Sequence, residues 1–133
     1  MPIEFTLTAL DVSSAGNVSA AGLRSLCDGL SSNQSIQSLR IAGGGFTTDD
    51  CLVVAKYLHL NPPLLDLDLS HNAITDVGDL AEALESNKTL RTLTLAHNKI
   101  DDAGFILLLQ SLIDKGITTL FNQFDIFTFD SQF

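Results

Sequence analysis

Leu64-Leu65-Asp66-Leu67-Asp68-Leu69-Ser70-His71-Asn72-Ala73-Ile74 decides the fold, because it returns as Leu90-Arg91-Thr92-Leu93-Thr94-Leu95-Ala96-His97-Asn98-Lys99-Ile100. The two stretches agree at three leucines, at the His-Asn pair and at the closing isoleucine. Outward from them, the same apolar spacing, LxxLxL, occurs at Leu7, Leu10 and Val12 and at Ile36, Leu39 and Ile41, and it begins again at Ile117 and Leu120. The middle members Leu10, Leu39, Leu67 and Leu93 step by 29, 28 and 26 residues, and Leu120 follows 27 further on. Self-similarity at such a period marks a stack of supersecondary units, none of which can bury its apolar face alone.

Within each triplet the last two apolar positions alternate with polar ones, which predicts a short strand with its leucines on one face. The stretches between triplets read as helices. Residues 76–86 carry Leu80 and Leu84 four apart, with Thr75 or Asp76 as N-cap. Asp101 or Asp102 caps the next helix, through Leu108 and Leu112. Thr47 or Thr48 caps the one with Leu52, Ala55 and Leu58, and Ser19 opens the one with Leu23, Leu26 and Leu30. Asn33, Asn61 and Asn87 each stand three residues before the next triplet, and all three are expected to end helices in the left-handed conformation that Asn tolerates. Strand, turn, helix and strand at this period form right-handed parallel units. The expected fold class is therefore α/β: a right-handed solenoid with a parallel sheet on the concave face and helices on the convex face. A single domain, 1–133, is expected, with units at roughly 5–33, 34–61, 62–87 and 88–115 and a degenerate one at 116–133 that ends in an aromatic cap.

The fuller pattern at Leu64–Ile74 and Leu90–Ile100, LxxLxLxxNxI, resembles the leucine-rich-repeat signature. The period with a helix in each unit is similar to that of the ribonuclease-inhibitor-like subfamily, over about residues 5–120. The resemblance implies that Asn72 and Asn98 face inward and bind backbone in the turns after the strands as a structural ladder. Ala15 and Gly44 stand in that slot in the earlier units, which leaves the ladder incomplete there. It also implies a non-catalytic protein–protein interaction module or scaffold subunit of a larger intracellular assembly. Two other functions stay open within the fold: a regulator of a small GTPase, similar to Ran GTPase-activating protein, and a fragment of an innate-immune-type repeat receptor.

The outward strand positions form the candidate binding face. In columns they read Ala9, Ser38, Asp66, Thr92 and Thr119; Asp11, Arg40, Asp68, Thr94 and Phe121; and Ser13, Ala42, Ser70, Ala96 and Gln123. Asp11, Arg40, Asp66, Asp68, Thr92 and Thr94 are the candidate contacts. Arg40 falls between Asp11 and Asp68 with Asp66 diagonal to it, which reads either as a cross-strand ion ladder or as an acidic patch for a basic partner. His71 and His97 should stack one strand spacing apart, but two imidazoles without an evident third ligand do not make a metal site. Cys27 and Cys51 sit among apolar helix neighbours and read as small buried hydrophobes. No phosphate-cradling glycine loop, metalloprotease or nucleophile-elbow motif occurs, so no enzyme activity, cofactor or metal is expected.

Composition sets the remaining limits. Sixteen acids against seven bases give a formal charge of −9, which disfavours nucleic-acid phosphates and anionic lipid heads and suits a protein partner with a basic surface. No stretch has the apolar length to span a bilayer, and no leader is evident at Met1–Leu10. Two cysteines cannot make a disulfide framework, so a cytoplasmic protein is expected. The last segment is the least ordinary: Phe121, Phe124, Phe127, Phe129 and Phe133 are five of the chain's eight phenylalanines. It reads as a cap over the last core layer, or as a docking peptide for another chain or a second copy joined through end strands.

Overall fold

The structure, a computed structural model, describes residues 7–13 and 20–114. Strand and helix alternate: β1 (Ala9–Asp11), α1 (Ala20–Ser31), β2 (Ser38–Arg40), α2 (Thr48–His59), β3 (Asp66–Asp68), α3 (Gly78–Ser86), β4 (Thr92–Thr94) and α4 (Asp102–Asp114). The strands are parallel and lie in sequence order. Leu10 pairs with Leu39, Leu39 with Leu67 and Leu67 with Leu93, so the middle members of the triplets form one row. Leu39, Leu67 and Leu93 are buried, as are Ile36, Leu64 and Leu90 before them and Ile41, Leu69 and Leu95 after them. From the helices, Leu23, Val54, Leu58, Leu80, Leu84 and Leu108 meet these rows in one continuous core. The result is the α/β solenoid, a parallel sheet on one side and a row of helices on the other. In the first row Leu7 is 58% exposed; among the described residues β1 has a neighbouring strand, β2, on one side only.

Helix starts follow local chemistry. Thr47 caps α2 in a reciprocal box with Asp50, whose carboxylate accepts the Thr47 N–H at 2.8 Å. α3 begins at Gly78, two residues after the Asp76 cap expected from sequence; Val77 takes the N-cap position while Asp76 accepts the Gly78 N–H at 2.8 Å from one residue further back. Asp101 accepts the Gly104 N–H at 2.9 Å and opens α4.

Helix ends depart from the sequence expectation. Of Asn33, Asn61 and Asn87, only Asn61 is left-handed, with φ 50°. Asn87 is extended, with φ −74° and ψ 132°. Its side-chain oxygen accepts the N–H groups of Thr89 and Leu90, as that of Asn33 accepts those of Ser35 and Ile36. Asn61 cannot repeat this pattern, because Pro62 and Pro63 follow it and Pro63 has no N–H to give. Its oxygen instead accepts Lys88 N–H from the next unit at 2.9 Å.

The left-handed position lies in the turns after the strands. Gly43, His71 and His97 occupy equivalent places and have φ of 72°, 56° and 57°. Side-chain amides tie each turn to the next unit. Asn72 accepts the N–H groups of Gly44 and Phe46 in the preceding turn and donates to the Ile41 and Leu69 carbonyls, both at 2.9 Å. Asn98 accepts Ile74 N–H and donates to the Leu69 and Leu95 carbonyls. The glycine-rich turn is therefore fastened by the unit that follows it, although Gly44 has no side-chain amide of its own. At the first turn the tie is a hydroxyl: Ser13 Oγ accepts Ala42 N–H at 2.9 Å.

Asn72→Ala orphans buried donors and acceptors on two turns and is expected to lower stability by about 3 kcal/mol, on the order of 1–3 kcal/mol for each unsatisfied buried group. Asn98→Ala, at a less buried site, is expected to cost less. Urea titration of the two variants measures this, and equal or reversed costs would contradict the burial argument.

Candidate functional site

The outward strand residues form one polar face. Ala9, Ser38, Asp66 and Thr92 are in register across the sheet, and so are Asp11, Arg40, Asp68 and Thr94. The pleat turns the intervening leucines inward and leaves these side chains on the open side. The third column behaves differently. Ala42, Ser70 and Ala96 are buried, because each strand ends after three residues and the chain folds inward there. Asp68 helps make that bend: its Oδ1 accepts Ser70 N–H at 2.9 Å. Asp11 does the same at the first strand, accepting Ser13 N–H at 2.8 Å.

Arg40 bridges the two acids. Its Nε lies 3.2 Å from Asp68 Oδ2 and its Nη1 lies 3.8 Å from Asp11 Oδ2. The Arg40 side chain is 54% exposed, so each pair is worth a few tenths of a kcal/mol in water. The hydroxyl and N–H of Ser13, then the Arg40 guanidinium, hold the Asp11 carboxyl below the usual carboxylate range. Asp66 stands exposed in the next column. Two carboxylates thus share one cation while the third stands beside them, and the excess negative charge faces solvent beside the hydroxyls of Thr92 and Thr94.

At the lip of this face, the His71 and His97 rings stack with centroids 4.2 Å apart and planes 16° from parallel. Their left-handed backbone, recurring with the period, sets the rings over one another. The sequence signal was the shared slot; that Gly43 fills the same slot was the clue to the backbone. Among the described residues, no group of three or more His, Cys, Asp or Glu could hold a metal ion. Phe121, Phe124, Phe127, Phe129 and Phe133, and with them Ile117, Thr119, Leu120 and Gln123, lie outside the described residues, as do Ala15 and Ser19.

Asn87 is also a tie between units, a role its expected place at a helix end does not convey. It is fully buried and donates to the Leu58 carbonyl of the preceding helix at 2.9 Å, while binding its own loop. Its recurrence three residues before a triplet was visible; its side-chain role became evident only from the buried loop. Cys27 and Cys51 are free thiols under the helices. Burial, and then nearby carboxylates, push them up to about 11 and about 12. Burial likewise raises the Tyr57 hydroxyl to about 12.

A leucine-rich solenoid with a polar strand face defines the class, and comparison supplies the family. A family description, "Leucine Rich repeat", matches residues 5–27, 60–78 and 86–109. The chain belongs to the leucine-rich-repeat proteins. Among solved structures it is similar to one described as leiomodin-1 actin-binding site 2, with TM-score 0.80 and 17% identity, covering 95% of this chain and 72% of that one. It is also similar to a Caenorhabditis elegans tropomodulin C-terminal domain, with TM-score 0.67 and 14% identity, covering 82% of this chain and 68% of that one. At these identities the likeness is one of fold. No helix among the described residues is long and apolar enough to cross a membrane.

Both thiols have folded-state pKa values above the ordinary thiol value of 9.0, so they stabilise the fold fully below about pH 9. As pH rises past that point the unfolded chain ionises while the folded one does not, and stability should fall. Alkylation by iodoacetamide at pH 8 should accordingly track global unfolding; rapid native labelling of either cysteine would contradict the burial. A β-branched side chain is disfavoured in left-handed backbone. His71→Val should therefore cost about 1–2 kcal/mol more than His71→Gly in thermal or urea unfolding, and equal costs would assign the difference elsewhere.

Proposed function

We propose that this chain is a non-catalytic interaction module that receives a protein partner on its strand face, at Asp11, Arg40, Asp66, Asp68, Thr92 and Thr94. The observation that carries the reading is the register itself. It sets polar side chains of four separate units in two straight columns, on rigid backbone, with excess negative charge. A flat strip of that kind offers many weak contacts to a broad surface and no enclosed pocket for a small substrate. The charge favours a partner that brings Lys or Arg to the strip, and electrostatic complementarity of this sort sets orientation and association rate more than raw affinity. The expected setting is a scaffold subunit within the cytoplasm.

Actin is the first partner to test, because a structural neighbour of this chain is described as an actin-binding site. The likeness supports the choice of partner through the fold alone, and the column residues supply the contacts. Binding of the full chain to actin, by co-sedimentation with filaments and by titration with monomers, is compared with capture of partners from its native cell. With whichever partner binds, the double substitution Asp66→Lys and Asp68→Lys should weaken affinity at least about tenfold, a loss of roughly 1.4 kcal/mol. The loss should shrink at high salt, where exposed charges are screened. An affinity unchanged by the charge reversal sinks the strand-face reading.

A further inference from the structure

The helix row is not evenly closed. Between α2 and α3 the Asn87 amide donates to the Leu58 carbonyl at 2.9 Å. One boundary earlier the same slot holds Asn61, which stands left-handed before Pro62 and Pro63 and gives its oxygen to Lys88 N–H of the next unit. The tie that draws α3 onto α2 is therefore not repeated between α2 and α1, and a groove of about 670 Å³ lies between those two helices. α1 lines it with Arg24, Cys27 and Asp28, and α2 with Leu52, Val53, Lys56 and Tyr57, at the three- and four-residue spacing of one helix side. The floor is apolar: Cys27 and Tyr57 are buried and Val53 is half-buried. Leu52 is 37% exposed at the rim, and Leu60, which closes one end, is 63% exposed.

Four exposed charges stand along the walls, Arg24 and Asp28 on the α1 side and Asp49 and Lys56 on the α2 side. α1 and α2 are equally long and start 28 residues apart, at Ala20 and Thr48, so Asp28 is level with Lys56. Asp49 lies about one turn from the level of Arg24. Opposite signs thus face each other at both ends of the groove. None of the four forms an ion pair among the described residues, so the groove holds them apart. A guest that fits must be apolar along its middle and carry both signs on each flank. An amphipathic helix meets this condition, because Glu and Lys one turn apart on its flank can reach Arg24 and Asp28 together. A small amphiphilic ion carries one sign only. A second copy presenting the same face would set hollow against hollow. The chain after Asp114 has a single base, Lys115, to offer two acids.

We propose that the groove between α1 and α2 is a second docking surface, which receives an amphipathic helix of a partner protein. The guest's apolar stripe lies on Leu52, Val53 and Leu60, and the acids and bases on its flanks pair with Arg24, Asp28, Asp49 and Lys56. This site is on the helix side of the sheet, away from the strand face, so the two surfaces can be occupied together. It does not rest on the strand-face reading. The chemistry differs as well: the strand face has excess negative charge, whereas the groove carries two bases and two acids and selects for the order of charges on its guest.

The test is solution NMR on the isotope-labelled full chain, titrated with two synthetic helical peptides of about 14 residues, long enough at about 1.5 Å per residue to span the groove. Both carry the same leucine stripe. The first sets Glu toward Arg24 and Lys56 and Lys toward Asp28 and Asp49; in the second, Glu and Lys are exchanged. Expected are amide shifts confined to α1 and α2 with the first peptide, and binding at least about tenfold weaker for the second, a difference that shrinks at high salt. Leu52→Asp, at an exposed position, should weaken the first peptide at least about tenfold, and Leu60→Asp repeats the reading should Leu52→Asp lose its fold. The strand-face pair Asp66→Lys and Asp68→Lys should leave it unchanged. Absence of shifts in α1 and α2 overturns the proposal, as does equal binding of the two peptides or a loss caused by the strand-face pair. Shifts in the groove on diluting the chain without peptide would make a second copy the occupant. Nuclear Overhauser contacts in the free chain from the Leu52 or Leu60 methyls to phenylalanines after Asp114 would make the chain's own end the occupant. Either result overturns the proposal equally.

Discussion

The amide of Asn72 is the point on which the stacking depends. A strand of three residues makes few ladder hydrogen bonds, and the chain must turn away from the sheet at once to reach the helix layer. That turn carries N–H and C=O groups into a poorly hydrated space, where each must find a partner. One side chain with a two-proton donor and a two-lone-pair acceptor meets the need on two units together: Asn72 takes the N–H groups of Gly44 and Phe46 and serves the carbonyls of Ile41 and Leu69. The bond network therefore runs between units as well as within them. It fixes the rise from one unit to the next, and with it the register of the columns on the strand face.

A second set of ties works at the opposite end of each helix. Asn87 closes its own loop and holds the Leu58 carbonyl, and Ser86 shares a hydrogen bond with His59 across the same boundary at 2.9 Å. The two sets lie on either side of the leucine rows, so apolar burial supplies the bulk of the driving force while the amides specify how units sit. Nearest-neighbour coupling of this kind means that a local loss propagates to adjacent units before it reaches distant ones.

The fold was legible because leucines, the histidine–asparagine pair and the helix lengths repeat together, and each element had a period of its own. The strand registers could be aligned by counting from Leu10, Leu39, Leu67 and Leu93. What could not be read was backbone conformation inside the loops. Asn61 and Asn87 look equivalent in sequence, yet the proline pair after Asn61 removes the N–H that an extended asparagine would bind, and the two adopt different conformations. The third outward column failed for a related reason. Strict alternation reaches one step past the end of a strand only three residues long, and Ala42, Ser70 and Ala96, which it places facing out, are buried. At the strand face, Arg40 and its two acids could be placed by register alone, whereas the bends made by Asp11 and Asp68 on Ser13 and Ser70 required the geometry.

Those bends give the acidic face its particular character. A carboxylate that accepts a backbone N–H in its own turn is held at a fixed height. Asp11 and Asp68 are thereby oriented before any partner arrives, and each still offers an oxygen to Arg40. If the proposed partner binds here, an incoming basic side chain competes for these oxygens without reorganising the strand, so less ordering remains to be done on binding. Arg40, long and half in water, is the group able to move aside. A partner that displaces it meets three carboxylates in two columns. One that does not meets a strip whose charge is partly satisfied. On the proposed strand-face reading, selectivity between those two kinds of partner follows from the position of a single arginine in the second unit.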